Sequence, residues 1–129
     1  MNIFARNTFI LNEYKTSFVA LANMNVPRAD HSLIYYQGRI FAFGCMNFEQ
    51  SGEDNDGQIQ SLSHSECYNI EKDEWTQIAP MIVKRQAFSA CLYNDNHVFI
   101  FGGKNLKLGA SIEKQHLYDY VEQVSFAFI

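Results

Sequence analysis

Residues 31–44 read HSLIYYQGRIFAFG, and this stretch decides the fold. Apolar and aromatic residues run up to Tyr36, Gln37-Gly38 supplies a tight turn, and apolar residues return from Arg39 to Gly44, which is the pattern of a β-hairpin. β-Branched and aromatic side chains favour a pleated, half-buried surface over a helix. The chain is rich in them, with 15% aromatic residues that include 11 Phe and 7 Tyr. The pattern then recurs: from Ala87 the chain reads AFSACLY, breaks at Asn94-Asp95-Asn96, and returns through HVFIFGG to Gly103. The near-continuous apolar character of IFAF and VFIF predicts strands covered on both faces.

Sliding the sequence along itself by 57 positions turns this echo into a repeat. Asn12 falls on Asn69, Lys15 on Lys72, Ala22 on Ala79, Met24 on Met81, Val26 on Val83, Arg28 on Arg85, Ser32 on Ser89 and Tyr36 on Tyr93. Phe18 falls on Trp75 and Leu21 on Ile78. After one inserted residue, Phe41, Phe43 and Gly44 meet Phe99, Phe101 and Gly102. SECYNI and EWTQI follow the first hairpin, joined by the polar turn Glu71-Lys72-Asp73. Each copy is therefore predicted to hold four antiparallel strands, in an all-β fold.

The repeat resembles the kelch motif. The residues that carry the likeness are Arg85 before strand one, Gly102-Gly103 ending strand two, Tyr68 and Trp75 separated by six residues, and Ala79-Pro80-Met81 after them. The likeness runs from about Phe9 to Tyr118 and implies four-stranded antiparallel blades of a kelch-type β-propeller. There are departures: Cys45 follows Gly44 in place of a second Gly, Phe18 stands in a Trp position, Leu11 stands in a Tyr position, and no Trp lies near 125. By this reading, residues 1–24 are the outer strands of a partial blade, 25–81 a complete kelch repeat, and 82–129 a second repeat with Ser125 to Ile129 as candidate final strand. About two and a half blades leave an incomplete ring, since propellers take four to eight, and apolar faces and strand edges then stay open. The remaining blades are expected from a longer chain, because the first segment starts in mid-blade, or else from another subunit.

Composition narrows the function classes. At 129 residues, with 47% hydrophobic and 19% charged residues, the chain reads as a soluble globular protein. A net charge of -4 offers no basic footprint for nucleic acid or anionic lipid. No membrane span or secretory segment is expected either, because Arg6, Asn7, Asn12, Glu13 and Lys15 interrupt the apolar residues of the N-terminus. Cys45, Cys67 and Cys91 show no metal-like spacing and no Asn-x-Ser/Thr acceptor occurs, which predicts a reducing, cytoplasmic setting.

The candidate sites follow from the resemblance, which implies partner binding on the ring face built by two sets of loops. Loops from strand two to strand three are Cys45 to Ser63 and Lys104 to Ser111; loops from strand four to the next strand one are Asn23 to Ala29 and Pro80 to Gln86. Arg28 and Arg85 fall in the second set, and a guanidinium fork suits the carboxylates of an acidic peptide. The competing reading pairs each Arg with an acidic group of a neighbouring blade. His31, Asn47 and Lys104 complete the expected partner-binding set. Gly44, Gly102 and Gly103 are assigned to backbone geometry and close blade packing rather than to a phosphate loop, which would need a following helix. Tyr68 and Trp75 are assigned to the core between blades.

The Cys45 to Ser63 loop holds Glu49, Glu53, Asp54 and Asp56 without a Lys or Arg, and by this division it is about nine residues longer than its counterpart. Aligned on Gly57, a calcium loop would begin at Gly52 and end at Ser63, so its first and last ligands are missing. A solvated, mobile insertion that carries partner specificity is expected instead. No cofactor, metal set or catalytic residue is expected among the four His, three Cys and the serines. The function expected is that of a protein-protein interaction module, such as the substrate-recognition part of a ubiquitin ligase or a scaffold within a larger protein. The alternative is a propeller fragment of a galactose-oxidase-like copper enzyme, which needs a Tyr-Cys radical pair and His ligands near the ring axis.

Overall fold

The computed structural model describes residues 5–49, 58–93, 97–105, 116–117 and 121–125, and these contain strands and no helix. In chain order the strands are β1 (Thr8–Leu11), β2 (Phe18–Leu21), β3 (Ser32–Tyr36), β4 (Arg39–Glu49), β5 (Gln58–Asn69), β6 (Glu74–Ile78), β7 (Ser89–Tyr93), β8 (His97–Phe101), β9 (Lys104–Asn105), β10 (His116–Leu117) and β11 (Val121–Ser125). They form a two-stranded first blade β1-β2, a complete second blade β3-β4-β5-β6, and a three-stranded third blade β7-β8-β11 with the short β9-β10 ladder beyond it. The hairpin that opened the sequence reading pairs Ser32 with Phe43 through to Tyr36 with Arg39. Gln37 and Gly38 both take positive φ, 46° and 72°, which is the two-residue turn whose twist matches that of antiparallel strands.

Burial shows where the blades stack. Ile34, Phe41, Phe43 and Cys67 of the second blade form one buried cluster with Val98 and Ile100 of the third, joined by Met81, Phe88 and Ala90. Ala42, Tyr68 and Trp75 form another with Met24, joined by Leu21 and Ala22 on the side of the first blade. The second blade is therefore covered on both faces over β4, β5 and β6, where consecutive β4 residues Phe41, Ala42 and Phe43 are all buried, while on β3 Leu33 and Tyr35 stay exposed on the side of the first blade. On β8 burial alternates instead: Val98 and Ile100 are buried while Phe101 is 43% exposed, because only one of its faces meets a neighbour.

The repeat extends to individual backbone bonds. Arg28 donates its amide to Ala5 and Met24 to Arg6; Arg85 donates to Leu62 and Met81 to Ser63. Ala29 and Met46 exchange both bonds of a bridge, and Gln86 and Lys104 do the same. Asp30 and Ala87, also one repeat apart, share a positive φ of 53° and 50°.

The structure corrects three details of the sequence reading. The supposed loop at 45–63 is largely hairpin: β4 and β5 continue past a bulge at Gly44, pairing Cys45 with Leu62 through to Glu49 with Gln58. Glu53, Asp54 and Asp56 lie outside the described residues. Nor is this connection much longer than its counterpart, since Phe43 pairs with Ser65 and Phe101 with Val121, which makes the two links residues 44–64 and 102–120. Finally, Ser125 belongs to the third strand of its blade, where Val124 faces Val98 as Tyr68 faces Ile40; residues 126–129 lie outside the described residues.

Gly44 has both a conformational and a steric reason to be glycine. Its φ is +56°, and an added Cβ would sit 2.6 Å from Met81 Cε and 2.8 Å from the Arg85 carbonyl. Cys45, in the second glycine position, has no positive φ and simply continues β4. Gly44→Ala is expected to lower the denaturant midpoint by the equivalent of about 1–3 kcal/mol, the usual cost of overpacking. Gly38→Asn, where a Cβ meets open space and Asn tolerates the turn, should change it little.

Candidate protein-interaction face

The described parts of the loops expected to bind a partner lie at one end of the blades, where the bridges Ala29–Met46 and Gln86–Lys104 tie each incoming loop to the segment that follows the strand-two glycine of its own blade; residues 50–57 and 106–111 of those loops lie outside the described residues. Adjacent blades are also linked there. Ser61 on β5 donates its hydroxyl to Gln86 Oε1 at 3.0 Å and to the Lys104 carbonyl at 3.3 Å. The face is thus held by backbone bonds and by a buried side-chain bridge rather than by free-standing loops.

Beneath it lies a buried ion pair. The Glu66 carboxylate accepts the Asn25 amide and the Asn25 side-chain amide, both at 2.8 Å, the Val26 amide at 3.2 Å, and the Arg28 guanidinium. Arg28 also donates Nη1 to the carbonyls of Gly44 at 3.1 Å and His64 at 3.4 Å. Each charge therefore has a partner and further hydrogen bonds, the condition under which a buried pair is tolerated. Arg85 repeats the motif by donating Nη1 to the Gly102 carbonyl at 2.7 Å.

This geometry corrects the role expected for the two arginines. Arg28 is 3% exposed and Arg85 is fully buried, so neither guanidinium is presented to an acidic peptide. Arg28 pairs within its own blade, with β5, and not with a neighbouring one. The other expected residues are spread over the same end. Asn47 and Lys104 are half-buried, Asn47 opposite Gln60 on the extended hairpin and Lys104 in its bridge to Gln86. His31 is also half-buried, at the base of the crossing loop, with its Nδ1 enclosed. Burial, then the nearby Arg28 charge, hold its imidazole below the usual histidine range, against an opposing pull from Asp30.

Ile82 is the residue that sequence reasoning missed. It is 86% exposed at the crest of the 80–86 loop, and by the repeat it stands where the first loop has Asn25. An apolar residue replacing a polar one at a repeat position was visible in the sequence, but only the structure turns it outward.

Tyr68 and Trp75 lie away from this face. Their rings are 5.1 Å apart, and Trp75 Nε1 donates to Thr8 Oγ1 and to the Ala22 carbonyl, each at 3.1 Å, which joins the second blade to the first. Asp73 completes the joint by accepting the Ala22 amide and the Tyr68 hydroxyl, each at 2.7 Å. Those two bonds hold the Asp73 carboxyl below its usual value, while burial and the adjacent carboxylate push the Tyr68 phenol up to about 12. Among the described residues no group of three His, Cys, Asp or Glu side chains is placed to hold a metal ion.

Stacked antiparallel blades with loops gathered at one end define an incomplete kelch-type β-propeller. A family model described as Kelch motif matches residues 27–82. Beta-scruin of Limulus polyphemus is 27% identical over 117 residues, covering 88% of this chain and 12% of that protein. Kelch-like protein 15 of Homo sapiens is 31% identical over 84 residues, 64% of this chain and 13% of that protein. The solved structure of YjhT aligns with a TM-score of 0.61 at 19% identity, over 77% of this chain and 28% of that one, a likeness of fold alone. Residues 27–82 thus carry a kelch repeat, and the chain spans about an eighth of the length of these two relatives.

Two expectations test the internal joints. Arg28→Met or Glu66→Leu alone should cost about 3–5 kcal/mol in chemical denaturation, because each leaves an unpaired buried charge. The double variant should cost clearly less than the sum. For Asp73 the folded value lies below the ordinary 3.8, so its contribution is present above that pH and is lost as pH falls through the lower folded value. Fluorescence of Trp75, the single Trp, should report loosening of the first blade as pH drops below about 4, and Asp73→Asn should flatten that response.

Proposed function

We propose that this chain supplies blades to a protein-interaction propeller, as the substrate-recognition or scaffold part of a larger protein, and that its partner is a protein seated on the face described above. The observation that carries this reading is the exposure of Ile82, at 86%, on a face whose loops are fixed by the bridges of Ala29, Gln86 and Ser61. A large apolar side chain held out by a pre-organised loop is the form an interface anchor takes, with polar neighbours as its rim. Asn47, Lys84 and Lys104 are the polar groups for that rim. With both guanidiniums turned inward, an apolar anchor fits better than an arginine fork for an acidic peptide. Similarity to Kelch-like protein 15 and beta-scruin supports a kelch interaction module, and the finer role of ubiquitin ligase receptor or scaffold is what the kelch resemblance implies. This reading assigns no catalytic residue and places the protein in the cytoplasm, where the free thiols Cys45, Cys67 and Cys91 stay reduced.

A photo-crosslinking residue at position 82 should capture a partner protein, whereas the same group at Tyr14, in the turn between β1 and β2, should not. Against the captured partner, Ile82→Asp is expected to weaken binding about 30-fold, the scale of a 2 kcal/mol anchor. The melting point should stay unchanged. Unaltered affinity in Ile82→Asp would remove this face from the interaction.

A further inference from the structure

The loop that carries Ile82 is tied at both ends to the blade before it. Met81 donates its amide to the Ser63 carbonyl and Arg85 donates to the Leu62 carbonyl, both on β5. Ile82 and Val83 lie at the crest between these ties. In the equivalent first loop Met24 and Arg28 are tied in the same way to Arg6 and Ala5, and there the crest is held by one carboxylate. Glu66 accepts the amides of Asn25 at 2.8 Å and Val26 at 3.2 Å together with the Arg28 guanidinium. By the repeat, Ile82, Val83 and Arg85 stand where that loop has Asn25, Val26 and Arg28.

The third blade has a carboxylate in the matching register position. Glu66 on β5 pairs with Ala42, and Glu122 on β11 pairs with Ile100, the repeat counterpart of Ala42. Arg85 is fully buried and reaches the Gly102 carbonyl as Arg28 reaches that of Gly44. A guanidinium taken out of water needs an anion as well as carbonyl oxygens, and Glu66 is already engaged by Arg28. We infer that Glu122 is a positioning residue for the partner-binding face: its carboxylate serves Arg85 and the amides of Ile82 and Val83, and so fixes the crest on which Ile82 is presented. Its part in binding rests on the reading of Ile82 as the anchor, whereas its hold on the crest does not. An anchor on a loop that is ordered beforehand binds more tightly, because ordering the loop on contact would subtract from affinity. Glu122 acts through the loop and touches no partner.

Amide hydrogen exchange on the full chain reads this hold without any partner. Glu122→Leu should speed exchange at Ile82 and Val83 about tenfold or more, the scale of a lost hydrogen bond to a charged group, and leave Asn25 and Val26 as they were. Glu66→Leu should do the reverse. Asp30→Asn is the control at the same crossing, where the Asp30 carbonyl accepts the Ala87 amide at 3.3 Å, and it should alter neither crest. Chemical denaturation reads the ion pair separately. Arg85→Met combined with Glu122→Leu should unfold at a higher denaturant midpoint than either variant alone, since neither charge is then left buried without the other. If Glu122→Leu does not fold, Glu122→Gln, which keeps the shape and removes the charge, takes its place in both measurements. Exchange at residues 82 and 83 that is indifferent to position 122, or additive losses from Arg85→Met and Glu122→Leu, overturns the inference. Capture by the photo-crosslinking residue at position 82 should fall in Glu122→Gln together with the protection of the crest. A chain whose crest depends on Glu122 but which captures nothing at position 82 overturns the proposed function instead, and the hold on the loop stands.

Discussion

A small antiparallel sheet with apolar side chains on both faces gains its stability only when both faces are covered. The second blade meets that condition over β4, β5 and β6, and the third meets it on one face. Ile34 is 9% exposed between blades, while its repeat counterpart Cys91 is exposed on the open side of the stack. The same sequence logic thus gives an unbroken buried run from Phe41 to Cys45 on β4 and an alternating pattern on β8, and the difference is set by neighbours rather than by propensity. Stacking also explains why the turns are tight. Gln37-Gly38 returns the chain within two residues, which keeps β3 and β4 in the register that presents Phe41 and Phe43 to one neighbour and Ala42 to the other.

The arginine of each repeat converts this stacking into a defined loop geometry. Arg28 and Arg85 reach the carbonyl of the glycine that ends strand two, at 3.1 and 2.7 Å. A positive φ at that glycine turns the carbonyl toward the guanidinium, and in the second blade Glu66 closes the arrangement by accepting from Asn25, Val26 and Arg28 together. Removing charges from water is costly, so such a node is stable only when every donor and acceptor is satisfied. One consequence is that the crossing loop cannot move without breaking several bonds at once. The crest residues Asn25 and Ile82 are therefore carried on fixed supports.

Much of the fold was legible because a repeat supplies the sequence with an internal control. Matches across the 57-residue offset marked the hairpins and the Arg and, after one inserted residue, the glycine, while the Tyr-Trp pair was legible from its spacing in one copy, with Leu11 and Phe18 opposite it. What stayed hidden has particular causes. The hairpin extension at Cys45–Glu49 and Gln58–Leu62 was masked by a run of polar and acidic residues, whose side chains say little about a ladder made of backbone bonds. Glu66 escaped notice because the link 102–120 is shorter than 44–64, so its register equivalent Glu122 does not fall at the expected offset. The arginines were placed on the right loops but turned the wrong way, since a side chain's direction depends on the acceptors around it. Gly44 carbonyl and Glu66 lie far from Arg28 in sequence.

In a repeat protein the positions that recur and the positions that differ carry different information. Recurrence at Arg28 and Arg85, Met24 and Met81, or Gly44 and Gly102 is explained by packing that every blade needs. Divergence has no such explanation where the two sites share the same backbone bonds, as the crossing loops do. Asn25 is bound by Glu66 and by the Trp75 carbonyl, and so serves the scaffold, whereas Ile82 in the same place is exposed. His31 against Phe88 is a second such pair, one half-buried with an enclosed Nδ1 and the other packed against the core. A scaffold that fixes equivalent loops by equivalent bonds leaves these few positions to vary at little cost to the fold. Where an apolar residue is exposed at one of them, burial against another molecule is the physical outcome that would stabilise it.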